Sequence, residues 1–216
     1  MTFSIVARDP QTGALGIATA TAGPMVGALV PHGRSGLGAV ATQALTNPYL
    51  AIDTLALLDA EPADAALRAA LAMDPEAGRR QIIVVDSHGR VAGWTGESCV
   101  PHAGHLLGDG VAVAGNMLAG PDVLQAMLDT FRGETAHGLA QGLLRALMAG
   151  AAAGGDSRGT GSAALKVYGA EAYPDLDLRI DAADDPMAAL DRLFTEAHSG
   201  GYAGFFAGVP RRHARP

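Results

Sequence analysis

Apolar and polar side chains alternate from the first residues of the chain: Phe3, Ile5 and Ala7 interleave with Ser4, Val6 and Arg8, the period of a strand. Asp9 to Gly13 (DPQTG) places Pro and Gly at turn positions. ALGIATAT then returns antiparallel, so the first two strands form a hairpin. A second strand pair is predicted from Met25 to His32 and Leu37 to Gln43 around the turn GRSG, and a third from RQIIVVD and VAGWTG around SHGR. Gly110 to Leu118 (GVAVAGNML), SAALKVYG and Leu176 to Asp181 (LDLRID) add further strands.

Between these runs the spacing becomes helical. Asn47-Pro48 is a cap followed by proline at the first helical position, with Leu50, Thr54, Leu57 and Leu58 keeping one face. Pro62 opens PADAALRAALAM, and Gly120-Pro121-Asp122 starts a helix through about Phe131. AHGLAQGLLRALMAG makes another, loosened by Gly138 and Gly142. Asp185-Pro186 opens the last predicted helix, with Met187, Leu190, Leu193 and Phe194 on one face. Strands in antiparallel hairpins and helices in pairs reject a regular βαβ crossover. The expected fold is α+β, two antiparallel sheets face to face with helix pairs outside. The chain reads as one domain over 1–216, its apolar, glycine-rich tail from about 199 (GGYAGFFAGVP) packing on the body or on a partner subunit.

Composition narrows the function. The 216 residues are 49% hydrophobic and 17% charged, enough for a substantial core and unlike a disordered chain. The net charge of −7 is spread out, Lys166 is the sole lysine, and the arginines are scattered apart from Arg79-Arg80 and the tail PRRHARP. No basic stripe for nucleic acid results. Lys166 has no evident partner and is placed on the surface. The one cysteine, Cys99, excludes an internal disulfide framework. No run approaches the roughly 18 apolar residues of a membrane helix. The start lacks a basic segment followed by an apolar one, so no signal peptide is expected and the cytoplasm is the default location.

Thr2 carries the sharpest chemistry. A hydroxyl is a poor nucleophile near neutral pH, and a threonine at a mature N-terminus brings its base with it, because the α-amine can accept the hydroxyl proton. An unperturbed α-amine has a pKa of about 7.7–8.0, close to what a general base requires. Threonine is small enough at the second position for Met1 to be removed. A strand that merely happens to begin with threonine is the plainer reading.

Other polar groups have paired readings too. Asp156 and Arg158 lie in a glycine-rich loop (GGDSRGTG, Gly154 to Gly161); the Arg158 fork suits a substrate carboxylate with Asp156 fixing it, or the two only shape the loop. The Asn116 amide could help stabilise an oxyanion, or serve a turn after Gly115. Of Gln43 and Asn47, one is placed at the cleft, with capping accounting for Asn47. Cys99, His102 and His105 have ligand-like C-x2-H-x2-H spacing beside Glu97, but no fourth ligand is evident. Glu97, with Trp94 or His102, otherwise reads as pocket lining. Asp177, Arg179 and Asp181 share one strand face as a charged edge.

The segments TFSIVARDPQTGALGIATAT, GLGAVATQALTNP, GNMLAGPDV, GGDSRGTGSAAL and LDLRID, together spanning Thr2 to about Phe194, resemble a bacterial family of unknown function with an Ntn-hydrolase-like fold. The order of hairpins and helices is likewise similar to the N-terminal nucleophile hydrolases, including proteasome β-subunits. The resemblance implies a four-layer αββα sandwich and a Thr2 nucleophile. The chain departs from the active proteasomal pattern, in which an aspartate on the second strand and a lysine on the third support the nucleophile. Here those stretches read IATATAG and ALVPHGR, with Thr19, Thr21, His32 and Arg34 as the nearest polar candidates.

The resulting expectation is an amidohydrolase acting on a small amide or peptide-like molecule. Thr2 and Asn116 are assigned to catalysis, and Asp156, Arg158, Glu97 and Gln43 to substrate binding. No metal, no cofactor, no nucleic-acid or membrane partner and a homo-oligomeric state are expected. The alternatives are a non-catalytic ligand-binding module on the same fold and a metal-dependent hydrolase centred on Cys99, His102 and His105.

Overall fold

The computed structural model describes residues 2–212. Met1, whose removal the Thr2 chemistry requires, and residues 213–216, the end of the arginine-bearing tail, lie outside them. Numbered along the chain, six antiparallel strands form one sheet in the order β10 (Leu176–Ile180), β9 (Ser162–Tyr168), β2 (Leu15–Thr21), β1 (Thr2–Arg8), β8 (Val111–Asn116) and β7 (Gly104–Gly108). A second sheet has the order β3 (Pro31–Arg34), β4 (Gly38–Ala44), β5 (Arg80–Asp86) and β6 (Val91–Thr95).

The period-two pattern of β1 decides how the layers stack. Phe3, Ile5 and Ala7 pack in one apolar cluster with residues of α4 (Asp122–Gly133), α5 (Leu139–Ala152) and α6 (Pro186–Ala197). Val6, on the opposite face, packs with Leu15 and Ile17 of β2 and with Ala39, Ala41, Ile83 and Val85 of the second sheet. The other face of that sheet, through Val40, Ile82 and Val84, meets Leu50, Ala51, Ala63 and Leu67 on α2 (Pro48–Leu57) and α3 (Ala63–Ala72). Each strand thus divides its side chains between a helix layer and the opposing sheet. The result is the αββα sandwich expected from the sequence.

Local chemistry sets the element ends as expected. Asp9 closes the first hairpin by accepting from Gln11 N–H and Thr12 Oγ1, and Gly13 supplies the left-handed φ of 73°. Asn47 caps α2 by accepting from Tyr49 N–H (3.1 Å), and Asp185 caps α6 by accepting from Ala188 N–H (2.9 Å).

Four expectations fail. Residues 26–29 form a short helix, α1 (Val26–Leu29), instead of a strand. Met25 N–H donates to Asp181 O and Val26 N–H to Ser162 Oγ, which turns the chain around the start of β9. β7 has no counterpart in the predicted elements, and the tail contains an eight-residue helix, α7 (Gly200–Ala207). Lys166 is not a surface lysine: it lies between the sheets, 14% exposed, with Nζ 3.3 Å from Asp177.

Candidate functional site

Strand direction gathers the candidate residues at one end of the sandwich. β1, β5, β7 and β9 begin there, and β2, β4, β6 and β8 end there, as the pairings Thr2 with Asn116, Phe3 with Ala20, Gln43 with Gln81 and Thr21 with Ser162 require. Thr2 shares the inter-sheet face of β1 with Ser4 and Val6. It is only 6% exposed, and its Oγ1 donates to Thr21 Oγ1 at 3.3 Å.

Beneath Thr2 the inter-sheet layer changes from apolar to polar. Thr19 Oγ1 and Ser4 Oγ lie 2.7 Å apart, and Ser4 donates to Gln43 Oε1 at 2.6 Å. Because Ser4 has one hydroxyl hydrogen, Thr19 must donate to it. Gln43 Nε2 donates to the main-chain oxygen of Thr2 (3.2 Å) and to Gln81 Oε1 (2.8 Å). Gln81 Oε1 also accepts from Asn116 Nδ2 (2.9 Å), and the two hydrogens of Gln81 Nε2 are shared among three oxygens at 2.8–2.9 Å: Thr95 Oγ1, Gly104 O and Gly115 O. Thr95 Oγ1 then lies 2.9 Å from His105 Nδ1, and burial pushes the His105 pKa down.

This network corrects one assignment, bears on one alternative and refines others. Gln43 is fully buried with its amide bonded inside the protein, so it fixes the start of β1 rather than contacting a ligand. Cys99, His102 and His105 do not assemble a metal site: Cys99 Sγ donates to Arg80 O, burial raises its pKa, and His105 faces Thr95. Among the described residues no group of three or more His, Cys, Asp or Glu is arranged to hold a metal ion. Asn116 stands beside Thr2, one of its amide hydrogens committed to Gln81.

Asp156 is buried and accepts from Ala22 N–H (2.8 Å) and Arg158 N–H (2.9 Å), tying the loop after β2 to the glycine-rich loop. The Arg158 guanidinium leans on Asp156 at 3.4 Å with half its side chain exposed. Glu97 is exposed on the loop after β6, its carboxylate against Gly78, where a Cβ would meet it. A cavity of about 420 Å³ adjoins the Thr21 end of the site, lined by Ala22, Pro24, Gly161 and Ala182–Asp184. A second clamp steadies the same end: Arg80 Nε binds Asp74 Oδ2 (2.9 Å), Nη2 binds Glu76 (3.0 Å) and Nη1 donates to Leu45 O (2.7 Å). The Arg80 hydrogen bond holds the Asp74 carboxyl down at a pKa of about 2.

Sequence reading passed over Ser4, Gln81 and Thr95. The available signal was polar residues at positions whose strand neighbours two residues away, such as Val6 and Ile83, belong to the inter-sheet core.

Among the described residues no helix is long and apolar enough to cross a membrane. A comparison with curated proteins finds no match. Among solved structures, a crystal structure of a Silicibacter pomeroyi protein assigned to the same family model as this chain is 34% identical, with a TM-score of 0.89, covering 97% of this chain and 91% of that one. Anbu (ancestral β-subunit) from Yersinia bercovieri is 12% identical over 98% of this chain and 100% of its own, with a TM-score of 0.39. An Anbu Gly-1 mutant from Hyphomicrobium sp. strain MC1 is 13% identical over 99% and 100%, with a TM-score of 0.46. The model of the family of unknown function DUF1028 matches residues 2–190. With that match and the 34% identity over nearly the whole chain, the protein belongs to the DUF1028 family.

Proposed function

We propose that this protein is an N-terminal nucleophile amidohydrolase acting on a small amide or peptide-like molecule in the cytoplasm. Thr2, freed by removal of Met1, is the nucleophile and its own α-amine the base. The amine takes the Oγ1 proton as Oγ1 bonds to the substrate carbonyl carbon. The C–N bond breaks, the departing nitrogen takes the proton, and water then cleaves the ester to release the acid and restore the hydroxyl. The observation that carries the reading is the seating of Thr2: a hydroxyl on the inter-sheet face, its carbonyl held by the buried Gln43 amide, at the end of the sandwich where β1 begins. In this reading Asn116, the strand neighbour of Thr2, serves the reacting carbonyl, and Arg158, which leans on Asp156, serves a substrate carboxylate. Glu97 is assigned to the outer edge of the same site. Lys166 takes no part: it is four residues along β9 from Ser162, the partner of Thr21, a separation of about 13 Å along a strand.

The test is acylation by a reactive β-lactone, read by intact mass and peptide mapping. Processed wild-type protein should gain one adduct on Thr2. Thr2→Ala, with Met1 removed and the melting curve unchanged, should gain none. An adduct that persists in that variant, or maps to another residue, refutes the proposal.

One observation favours a second reading, a non-catalytic ligand-binding module. Thr2 is 94% buried, and its hydroxyl already has a partner in Thr21. Intact mass of protein from its native host separates the two, since retained Met1 leaves no free α-amine on Thr2.

A further inference from the structure

We propose that His105 is a positioning residue for Thr2: it ends a one-way hydrogen-bond chain across both sheets, and protonation of its ring switches the proposed site off. The chain runs from donor to acceptor through Thr19, Ser4 and Gln43 Oε1. It continues from Gln43 Nε2 to Gln81 Oε1 and from Gln81 Nε2 to Thr95 Oγ1, which lies 2.9 Å from His105 Nδ1. Main-chain carbonyls fix its direction. Gln43 Nε2 donates to Thr2 O, and Gln81 Nε2 to Gly104 O and Gly115 O, so neither amide can turn over without setting its own oxygen against a carbonyl oxygen.

Such a chain needs an acceptor at its end. Thr95 has one hydroxyl hydrogen, and of its two described side-chain partners only His105 Nδ1 can accept it, since Gln81 Nε2 is a donor. A neutral ring with Nδ1 unprotonated meets that need; a protonated ring has donors at both nitrogens and does not. Burial, with no contribution from a neighbouring charge, lowers the His105 pKa and so favours the neutral form.

The ring packs over Gly93 of β6, where a Cβ would lie 2.6 Å from it, and shares its face of the sheet with Ala114. The titratable groups around it stand apart. Glu97, Cys99 and His102 are on the segment joining β6 to β7. Asp122, Asp129 and Arg132 of α4 lie across β7, on the side that Leu106 faces. Arg80, with Asp74 and Glu76, is on the helix-facing side of β5, and a processed Thr2 adds its α-amine beyond Gln81. When the ring takes a proton, its charge repels the Nε2 hydrogens of Gln81, which Thr95 alone separates from it. Gln81 Oε1 holds both Gln43, the donor to the Thr2 carbonyl, and Asn116, the strand partner of Thr2. Displacing Gln81 therefore loosens both supports of Thr2 together.

Side-chain amide NMR and β-lactone acylation, each followed across pH, test this, and the NMR requires no activity at Thr2. The Gln43, Gln81 and Asn116 amide signals should shift with one midpoint, that of the His105 ring and below the ordinary histidine value, at constant circular dichroism. Thr95→Val leaves Gln81 both of its main-chain acceptors; in it His105 should still titrate while Gln43 and Asn116 no longer respond. Acylation of Thr2 should fall roughly tenfold per pH unit through protonation of its amine, and roughly a hundredfold per unit below the His105 midpoint. His105→Asn, whose Oδ1 can stand in for Nδ1 and does not titrate, should keep the neutral-pH rate and show only the tenfold slope. Amide signals that ignore the His105 midpoint, or that still follow it in Thr95→Val, overturn the coupling, and a hundredfold slope that persists in His105→Asn overturns the switch. The consequence for acylation rests on the Thr2 reading: absence of any adduct refutes that reading, while the amide signals decide the coupling on their own.

Discussion

Replacing Gln81 by leucine probes the polar layer under Thr2 with little change in volume. The substitution takes the Oε1 acceptor from two buried donors, Gln43 Nε2 and Asn116 Nδ2, and the Nε2 donor from Thr95 Oγ1, Gly104 O and Gly115 O. Each orphaned buried donor costs about 1–3 kcal/mol, and burying leucine in place of an amide returns about 1 kcal/mol. The expected loss is about 3 kcal/mol, or about 6–12 °C in Tm for a chain of this size. Gln43→Leu takes the acceptor from the Ser4 hydroxyl hydrogen and a side-chain donor from the Thr2 carbonyl and should cost about 2 kcal/mol. In the double variant neither glutamine is left facing a missing partner. Its cost should stay near 3 kcal/mol instead of the additive sum of about 5, a coupling of about 2 kcal/mol. Urea unfolding with matched m values reads all four corners of the cycle. A single-variant cost under about 1 kcal/mol, or additivity within about 0.5 kcal/mol, would show that these amides do not depend on each other.

Two further predictions concern the same end of the molecule. The Asp74 pKa falls from 3.8 to about 2 because Arg80, and then Asn47, bond the carboxylate, so the folded state binds its proton more weakly than the unfolded chain. That contribution, about 2 kcal/mol, is present above about pH 4 and is lost as the pH falls from about 4 to 2. Asp74→Asn should lower stability at pH 7 by a similar amount and flatten the acid limb of a stability–pH curve; an unchanged limb refutes the assignment. At Gly161 a Cβ would lie 2.4 Å from the Ala22 carbonyl oxygen, a backbone atom. Gly161→Ala should therefore cost about 1–3 kcal/mol by overpacking, seen as a lower melting temperature, and a variant that melts with the wild type would show that the loop after β2 yields freely.

How much of this could be read from the chain depends on where each element finds its partners. The hairpins β1–β2 and β5–β6 carry their own instructions, a two-residue period and turn residues in sequence, and α2 and α6 carry Asn47-Pro48 and Asp185-Pro186 at their starts. β7 has only GHLLG between glycines, and its strand state comes from pairing with β8. α1 is likewise set from outside, by hydrogen bonds to Asp181 and Ser162, more than 130 residues away. At the site, Thr2, Asn116 and Asp156 stood out for their chemistry, and the structure brings all three to one end. Gln43 also stood out, yet its role could not be read locally, because its partners come from β1 and β5. The C-x2-H-x2-H spacing, for which the sequence offered no fourth ligand, builds no site for the same reason: the β6 and β7 strands direct His105 toward Thr95 and not toward Cys99.

The polar layer also bears on why Thr2 sits where it does. Toward the middle and far end of the sandwich the sheets meet through Val6, Leu15, Ile17, Ile83 and Val85, contacts that tolerate small shifts. At the Thr2 end Ser4, Thr19, Gln43 and Gln81 replace them, and a fully bonded polar group accepts far fewer geometries than an apolar one. A slip of β1 by one residue would turn Ser4 toward the helices and bring Phe3 against Gln43, orphaning the glutamine amides at a cost far above that of an apolar mismatch. Hydrophobic burial therefore holds the sheets together, while the amide chain fixes the register of β1 against β2, β4 and β5. Because Thr2 is the first residue of that strand, its hydroxyl inherits this placement from both sheets, and a catalytic role for it would require no lysine to hold it there.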